Sequence, residues 1–578
     1  MYLKRHWLLT FLTCVASFSL HAETSVSVEI RGIGTELEKN VRQYLSIEQQ
    51  KSHALLSPAR LQRLQEKAPA EIKKALQPFG YYKPTIKTEL ESTPDQWKVI
   101  YSIDPGPPLP IAEFNFKVSD PIAKDPVFQK LINSIKMGPG RPFSHIEYEK
   151  LKSDMTRIAA ERGYIAAHFE THRVEVNLHT YAAKIQLHFA GGPQYHFGEV
   201  KLEQNVLNPA LVNRYIPFAQ GTLYNLNKLV EFQQALNDSD YFQTVEVSPG
   251  QADLSAATVP IIVHLTPRKP NRLSFGIGYG SDTGTRGKAA WEIVRLNPAG
   301  HRTKTETMVS EIGYRASFNY QIPIFDPRTD QLVYSAAAVN ERTDTSDSTL
   351  YSVGANLNHS RSAWRETLSL NYQQEEFEIA SERGVSSLLI PSANWSRTWG
   401  NRHIFTFDGV RTLLGIRGAG SKLASDTSFY QMHGSIKAIH SLGDHHRIIS
   451  RGKLGGTYTD GFNQLPPSVR FFAGGSQSVR GYAYQSLGPT DTSGKVVGGK
   501  HIMVGSVEWE YHFDPKWSVA LFYDAGNAIN SLADELEHGT GFGIRWQSPV
   551  GPLRMDFGHA ISHEERPWRV HINIGPDL

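Results

Sequence analysis

Two hydrophobic periods divide this chain near residue 270. Up to Pro267, stretches with apolar residues at helical spacing are interleaved with short alternating runs. Beyond Pro270 only the alternation survives, in short runs parted by Gly, Asp, Asn, Ser and Pro. This second part predicts about sixteen strands, from Arg272–Gly280 to Trp568–Ile574, each near the ~10 residues of a membrane-spanning strand. Parity separates the faces. Met503, Val507, Trp509, Tyr511 and Phe513 share one side of their run, whereas Ser506, Glu508, Glu510 and His512 share the other. Trp517, Val519, Leu521 and Tyr523 likewise oppose Phe522, Asp524 and Gly526. In the last strands Phe542, Ile544, Trp546, Leu553, Met555 and Phe557 point out, and Arg545, Arg554 and Asp556 point in. Apolar outside and polar inside fits a barrel in lipid around a wet lumen. A soluble β-sandwich is the alternative, but it needs a dry core between two sheets. An even strand number brings both ends to one side of the membrane.

The first part repeats itself with a period of about 80 residues. Three times a helix stops before an aromatic pair or an aromatic–aliphatic pair and an extended run: Gly80 before Tyr81-Tyr82, Gly163 before Tyr164-Ile165, Asp240 before Tyr241-Phe242. The glycines suit a left-handed helix cap, and Asp240 replaces them at some cost. Ser144 and Asn225 are expected helix N-caps. Each unit closes with an alternating strand and a hinge rich in Pro or Gly, at Gly106-Pro107-Pro108, Gly191-Gly192-Pro193 and Pro267. The repeated order is strand, helix, helix, strand, strand.

Residues 1–22 carry Lys4 and Arg5 and then an apolar stretch from Trp7 to about Leu20, the pattern of a secretory signal peptide cut after Ala22. The single Cys, Cys14, falls inside it, so the exported chain is expected to hold neither disulfide nor thiolate. A net charge of +3 over 578 residues asks for no nucleic acid. No G-x-S-x-G, Walker A, H-E-x-x-H or Cys/His ligand spacing occurs, so the expectation is a non-enzyme without cofactor or metal.

The longest irregular segment of the second part, residues 459–500, contains Phe471, Phe472, Val479 and Tyr482, side chains that want burial. Arg480 sits among them. A loop folding inward would bury this guanidinium against a carboxylate, and Glu508 and Asp524 face the lumen on the next two strands. A hydrated lumen would weaken such a pair. The first strand is poor in side chains, with Gly276, Gly278 and Gly280 alternating with Phe275, Ile277 and Tyr279. The last run ends at Ile574 before a Gly575-Pro576 break. A weak first strand beside a shortened last one predicts a lateral gate at the closing seam, formed by Gly276, Gly278, Gly280, Ile574 and Gly575.

The Val479-Arg480-Gly481-Tyr482 run resembles the Val-Arg-Gly-Tyr/Phe loop of the outer-membrane transporter superfamily that includes BamA, TamA and the two-partner secretion transporters. Phe522-Tyr523-Asp524-Ala525-Gly526 resembles that family's Phe-x-Asp-x-Gly strand motif, and Gly505-Ser506-Val507-Glu508 its Gly-x-x-Glu element. The N-terminal repeats resemble POTRA domains. The resemblance implies α+β POTRA repeats at 23–106, 107–192 and 193–267, followed by a transmembrane antiparallel β-barrel of 16 strands at 268–578. It also implies that the Arg480 loop is held by Glu508, Phe522, Asp524 and Gly526. The ending Gly575-Pro576-Asp577-Leu578 and the count of three units are similar to the TamA branch. That branch implies a bacterial outer-membrane location with periplasmic N-terminal domains, a TamB-like partner anchored in the inner membrane, and unfolded autotransporter or other barrel clients. A passive secretion channel using the lumen is the alternative.

Overall fold

The computed structural model describes residues 25–50, 57–93, 96–400, 406–549 and 551–574. The expected signal peptide and Gly575 lie outside the described residues. Two compact units emerge, the first comprising residues up to Glu199 with Gln220–Asn227 and Gly250–Pro260, the second the remainder. The boundary thus runs through the third N-terminal domain.

Each N-terminal domain is a three-stranded sheet under helices. The first contains β1 (Ser25–Arg31), α1 (Thr35–Tyr44), α2 (Ser46–Gln50), α3 (Pro58–Leu76), β2 (Thr85–Ser92) and β3 (Gln96–Asp104). The second contains β4 (Ile111–Val118), α4 (Pro126–Asn133), α5 (His145–Glu161), β5 (His168–Asn177) and β6 (Ala182–Ala190). The third contains β7 (His196–Glu203), α6 (Pro209–Asn213), α7 (Leu226–Asp238), β8 (Phe242–Pro249) and β9 (Thr258–Pro267). In every sheet the last strand is central, in the orders β1-β3-β2, β4-β6-β5 and β7-β9-β8. The repeat is therefore as read, except that α2 is an extra short helix in the first copy. Helical and alternating periods meet in the cores: Leu61, Leu64, Ala68, Ile72 and Ala75 of α3 lie in one cluster with Val99, Tyr101 and Ile103 of β3.

Ser144 Oγ accepts from Glu147 N at 3.3 Å, and Asn225 Oδ1 from Asn227 N at 2.9 Å, as N-caps do. Gly80 and Gly163 stand at φ of +87° and +82°, and Asp240 at +64°. The glycines also make the joints between domains. Gly80 O accepts from Leu109 N at 2.9 Å, and Gly163 O from Tyr195 N at 2.8 Å. A Cβ on Gly80 would stand 1.9 Å from Phe143 O, and one on Gly163 2.7 Å from Tyr224 O. Only a bare Cα lets one domain approach the next this closely.

The second part is one sixteen-stranded antiparallel sheet in sequence order. Its strands are β10 (Asn271–Gly280), β11 (Gly284–Ile293), β12 (Arg302–Ser310), β13 (Gly313–Pro323), β14 (Asp330–Arg342) and β15 (Ser346–Arg361). There follow β16 (Trp364–Ile379), β17 (Glu382–Gly400), β18 (Gly409–Ala419), β19 (Phe429–Leu442) and β20 (His446–Tyr458). The last five are β21 (His501–Asp514), β22 (Trp517–Ile529), β23 (Glu537–Ser548), β24 (Gly551–Ala560) and β25 (Trp568–Ile574). The expected parity holds: Val519, Leu521 and Tyr523 are exposed to the outside, whereas Phe522 and Asp524 are buried. β10 and β25 come together to make a nearly closed barrel. Among the described residues their backbone link is a single bond, Ser281 N to Ile572 O at 3.2 Å, while every other neighbouring pair forms a ladder.

The third domain is tied to the barrel's first strands. Tyr241 Oη donates to Gly300 O at 2.5 Å, and the Arg302 guanidinium lies over the Tyr241 ring. Asp240, the residue that replaces Gly in the third copy, pairs with both Arg268 and Arg272. Its carboxylate thus serves at the start of β10, where a glycine could not.

Candidate functional site

The segment between β20 and β21 folds into the barrel and is secured at both walls. On one side Ser468 N donates to Glu375 Oε1 of β16 at 3.3 Å, and Arg417 of β18 donates to Ser468 O at 3.2 Å. Thr345 donates to Gln485 O at 3.0 Å. Inside the loop, Arg470 donates to Leu465 O at 2.7 Å and Val497 O at 2.9 Å, and pairs with Glu382 at 2.9 Å. Arg470 knits the loop together, a role that its sequence surroundings did not signal.

Arg480 meets the opposite wall. Its Nε and Nη2 donate to the two oxygens of Asp524 at 2.7 and 2.8 Å, and its own backbone N–H reaches Asp524 Oδ2 at 3.0 Å. Its Nη1 donates to Glu508 Oε2 at 2.6 Å and, more weakly, to Asp556 Oδ2 at 3.4 Å. The guanidinium carbon stands 3.4 Å from the centre of the Phe522 ring. Arg480 is only 1% exposed, so the loop shields this pair from the bulk water that an open lumen would bring. Glu508 and Asp556 are shared with Arg545, whose Nη2 lies 2.6 Å from each. Arg545 Nε also approaches Glu510 at 3.3 Å, and Glu510 pairs with Arg447. The result is a continuous network of buried charges across β20 to β24.

The neighbours of Arg480 complete the dock. Val479 is fully buried in an apolar cluster with Phe471, Tyr482, Ile502 and Val504. Tyr482 Oη donates to Glu537 Oε2 at 2.7 Å. Gly481, at φ +98°, leaves its N–H free to donate to His571 Nε2 at 3.0 Å. The barrel wall beneath is made of glycine. A Cβ on Gly539 would stand 2.1 Å from Arg480 O, and one on Gly558 2.5 Å from Gly481 N. The loop backbone lies directly on the sheet because these positions carry no side chain.

Of the residues marked by sequence, Val479, Arg480, Gly481, Tyr482, Glu508, Phe522 and Asp524 converge here. At Gly526 the nearest atoms belong to β21. A Cβ there would stand 2.6 Å from Met503 O, so Gly526 serves the approach of β22 to β21. Asp556, Arg545, His571 and the glycine bed were not marked as partners; the inward parity of Arg545 and Asp556 was legible, but their distance from the loop was not. Gly276, Gly278 and Gly280 lie on β10, whose Phe275 and Ile277 are 80% and 96% exposed. Ile574 ends β25 and pairs with Leu553.

Comparison with known proteins agrees with this architecture. Residues 297–577 match the Omp85 superfamily domain, residues 27–105 match POTRA domain TamA domain 1, and residues 195–268 match POTRA, surface antigen variable number repeat. The outer membrane protein assembly factor BamA of Nitratidesulfovibrio vulgaris is 30% identical over 168 residues, covering 27% of this chain and 21% of that protein. The chloroplastic outer envelope protein 80 of Arabidopsis thaliana is 27% identical over 124 residues, 19% of this chain and 15% of its own. The matches thus span about a fifth or less of these relatives. The crystal structure of BamA from Haemophilus ducreyi lacking POTRA domains 1–3 superposes with a TM-score of 0.70 at 18% identity, over 81% of this chain and 99% of that one. That likeness is one of fold. With three POTRA-like domains before a nearly closed barrel of sixteen strands that carries an Omp85 superfamily domain, the chain is an outer-membrane β-barrel protein of the Omp85 kind with periplasmic POTRA domains.

Proposed function

We propose that this protein inserts or secretes autotransporters and other barrel clients as the outer-membrane part of a translocation and assembly module, by pairing client strands at the seam between β10 and β25. The observation that carries the reading is the seam itself: a ten-residue strand faces a seven-residue one across a single backbone bond, Ser281 N to Ile572 O, among the described residues. An edge with unpaired N–H and C=O groups is a template for an incoming strand. Gly276, Gly278 and Gly280 give β10 no side chains to pack at three positions of the seam strand, and the proposed gate also takes in Ile574, the last described residue of β25, and Gly575. The Arg480 loop docks on β21, β22 and β24 and reaches β25, the last strand of the seam. The match of residues 27–105 to a TamA POTRA domain supports the TamA branch, with a TamB-like partner anchored in the inner membrane.

The test is a reversible lock. With Cys14 replaced by Ser, Gly280→Cys and Ile572→Cys are oxidised and client assembly in cells is scored before and after reduction; a Cβ on Gly280 would stand 3.9 Å from Ile572 O. Loss of assembly restored by reduction supports the gate. Undiminished assembly by fully locked barrels refutes it.

A further inference from the structure

The two strands flanking the seam reach the same short piece of the lumen loop. Asp282 lies in the turn that follows β10. Its Oδ2 accepts from Ser476 N at 2.9 Å and Ser476 Oγ at 2.6 Å. His571 lies on β25, 1% exposed, and its Nε2 accepts from Gly481 N at 3.0 Å. An accepting Nε2 has no proton, so the proton of the neutral ring is on Nδ1. That nitrogen faces Asp282 Oδ1 across 3.8 Å, too far for a hydrogen bond and close enough for attraction. Ser476 and Gly481 bracket Arg480, so the loop is gripped by the first hairpin on one side and the last strand on the other. Each grip equals or exceeds the single backbone bond that joins these strands directly.

We infer that Asp282 and His571 form a latch through which docking of the Arg480 loop holds the seam shut. Neither residue needs to strengthen the barrel elsewhere: Asp282 belongs to a turn, and β25 is already paired with β24 along Leu553 to His559. The loop acts as a bridge between two strands that hardly touch. While Arg480 is seated, Ser476 and Gly481 are fixed, and β10 and β25 are fixed with them. When the loop lifts, both holds are lost together. The latch gains its purpose from the gate proposed above, yet its existence is measured without any client.

Hydrogen exchange on the full-length protein in lipid nanodiscs reads it, because exchange at the seam follows the population of the open form. Asp282→Ala and His571→Ala are each expected to speed exchange in residues 280–283 and 570–573 about tenfold, with β13 to β16 unchanged. Asp282→Asn keeps an oxygen for the Ser476 donors and should stay near wild type. If an alanine variant fails to fold, Ser476→Ala, which removes one donor from the loop side, gives the same pattern at smaller size. Unchanged exchange at the seam, or acceleration spread evenly over all strands, overturns the latch. Failure of the disulfide lock to stop assembly would refute the gate and leave the latch standing.

Discussion

Replacing Arg480 with Ala should destabilise the barrel through one carboxylate above all. The change deletes side-chain bonds to Asp524 at 2.7 and 2.8 Å, to Glu508 at 2.6 Å and to Asp556 at 3.4 Å. Glu508 and Asp556 keep Arg545 at 2.6 Å. Asp524, with a side-chain exposure of 0%, keeps the Ser506 hydroxyl, the backbone N–H of residue 480 and, as its nearest cation, Arg451 at 3.7 Å. Stripping the partner from a buried charge costs about 3–5 kcal/mol. Most of that cost should therefore vanish when Asp524 is neutralised as well. Arg480→Ala/Asp524→Asn is expected to recover about 2–3 kcal/mol relative to the sum of the single changes. Arg480→Ala/Glu508→Gln should recover little, because Glu508 still pairs with Arg545 once Arg480 is gone and so leaves no uncompensated charge to relieve. Urea unfolding in detergent, followed by tryptophan fluorescence, supplies the four free energies of each cycle. Equal recovery by both double variants, or none by Asp524→Asn, would refute the assignment of Asp524 as the charge that Arg480 neutralises.

Gly558→Ala tests the glycine bed: its Cβ would press on Gly481 N at 2.5 Å, an overpacking of about 1–3 kcal/mol, and should raise protease access to residues 459–500 while the sheet stays intact. Gly80→Ala combines φ +87° with a contact of 1.9 Å to Phe143 O, so cleavage of the full chain near Gly106 should increase; Gly140→Ala, at φ +78° with open space around it, should show a much smaller rise. In the first domain, burial raises the Glu71 carboxyl, but bonds from Ser46 and the Lys67 ammonium outweigh it and leave the group below its ordinary value. A depressed folded value means that its stabilisation is present above the unfolded pKa of about 4.3 and is lost as pH falls through the folded one. Glu71→Gln should thus differ from wild type at neutral pH in hydrogen exchange over α1 to α3, and the difference should shrink below about pH 4.3.

The inward face of each barrel strand was readable from parity, since the side-chain period of a strand is two whatever surrounds it. Glu508, Phe522 and Asp524 were found this way, and Arg480 by its place among buried aromatics in a long loop. Asp282 and His571 were not. Asp282 is 194 positions from Ser476 and His571 is 90 from Gly481, and their meeting depends on how far the sheet shears before it closes. Gly539 and Gly558 read as ordinary strand glycines until the loop is seen lying on them. Asp240 looked like an imperfect helix cap, and only the barrel supplies Arg268 and Arg272 to explain it.

By itself the sequence determined the periodicities, hence three α+β units and a sixteen-stranded sheet with one polar face, because those depend on local geometry and on which side chains water or lipid will accept. The closure decided the rest. It set which strands meet at the seam, which carboxylates crowd around Arg480, and whether that site is wet. Those outcomes follow from register and from a loop filling the lumen, which are properties of the whole sheet that no single stretch of chain contains.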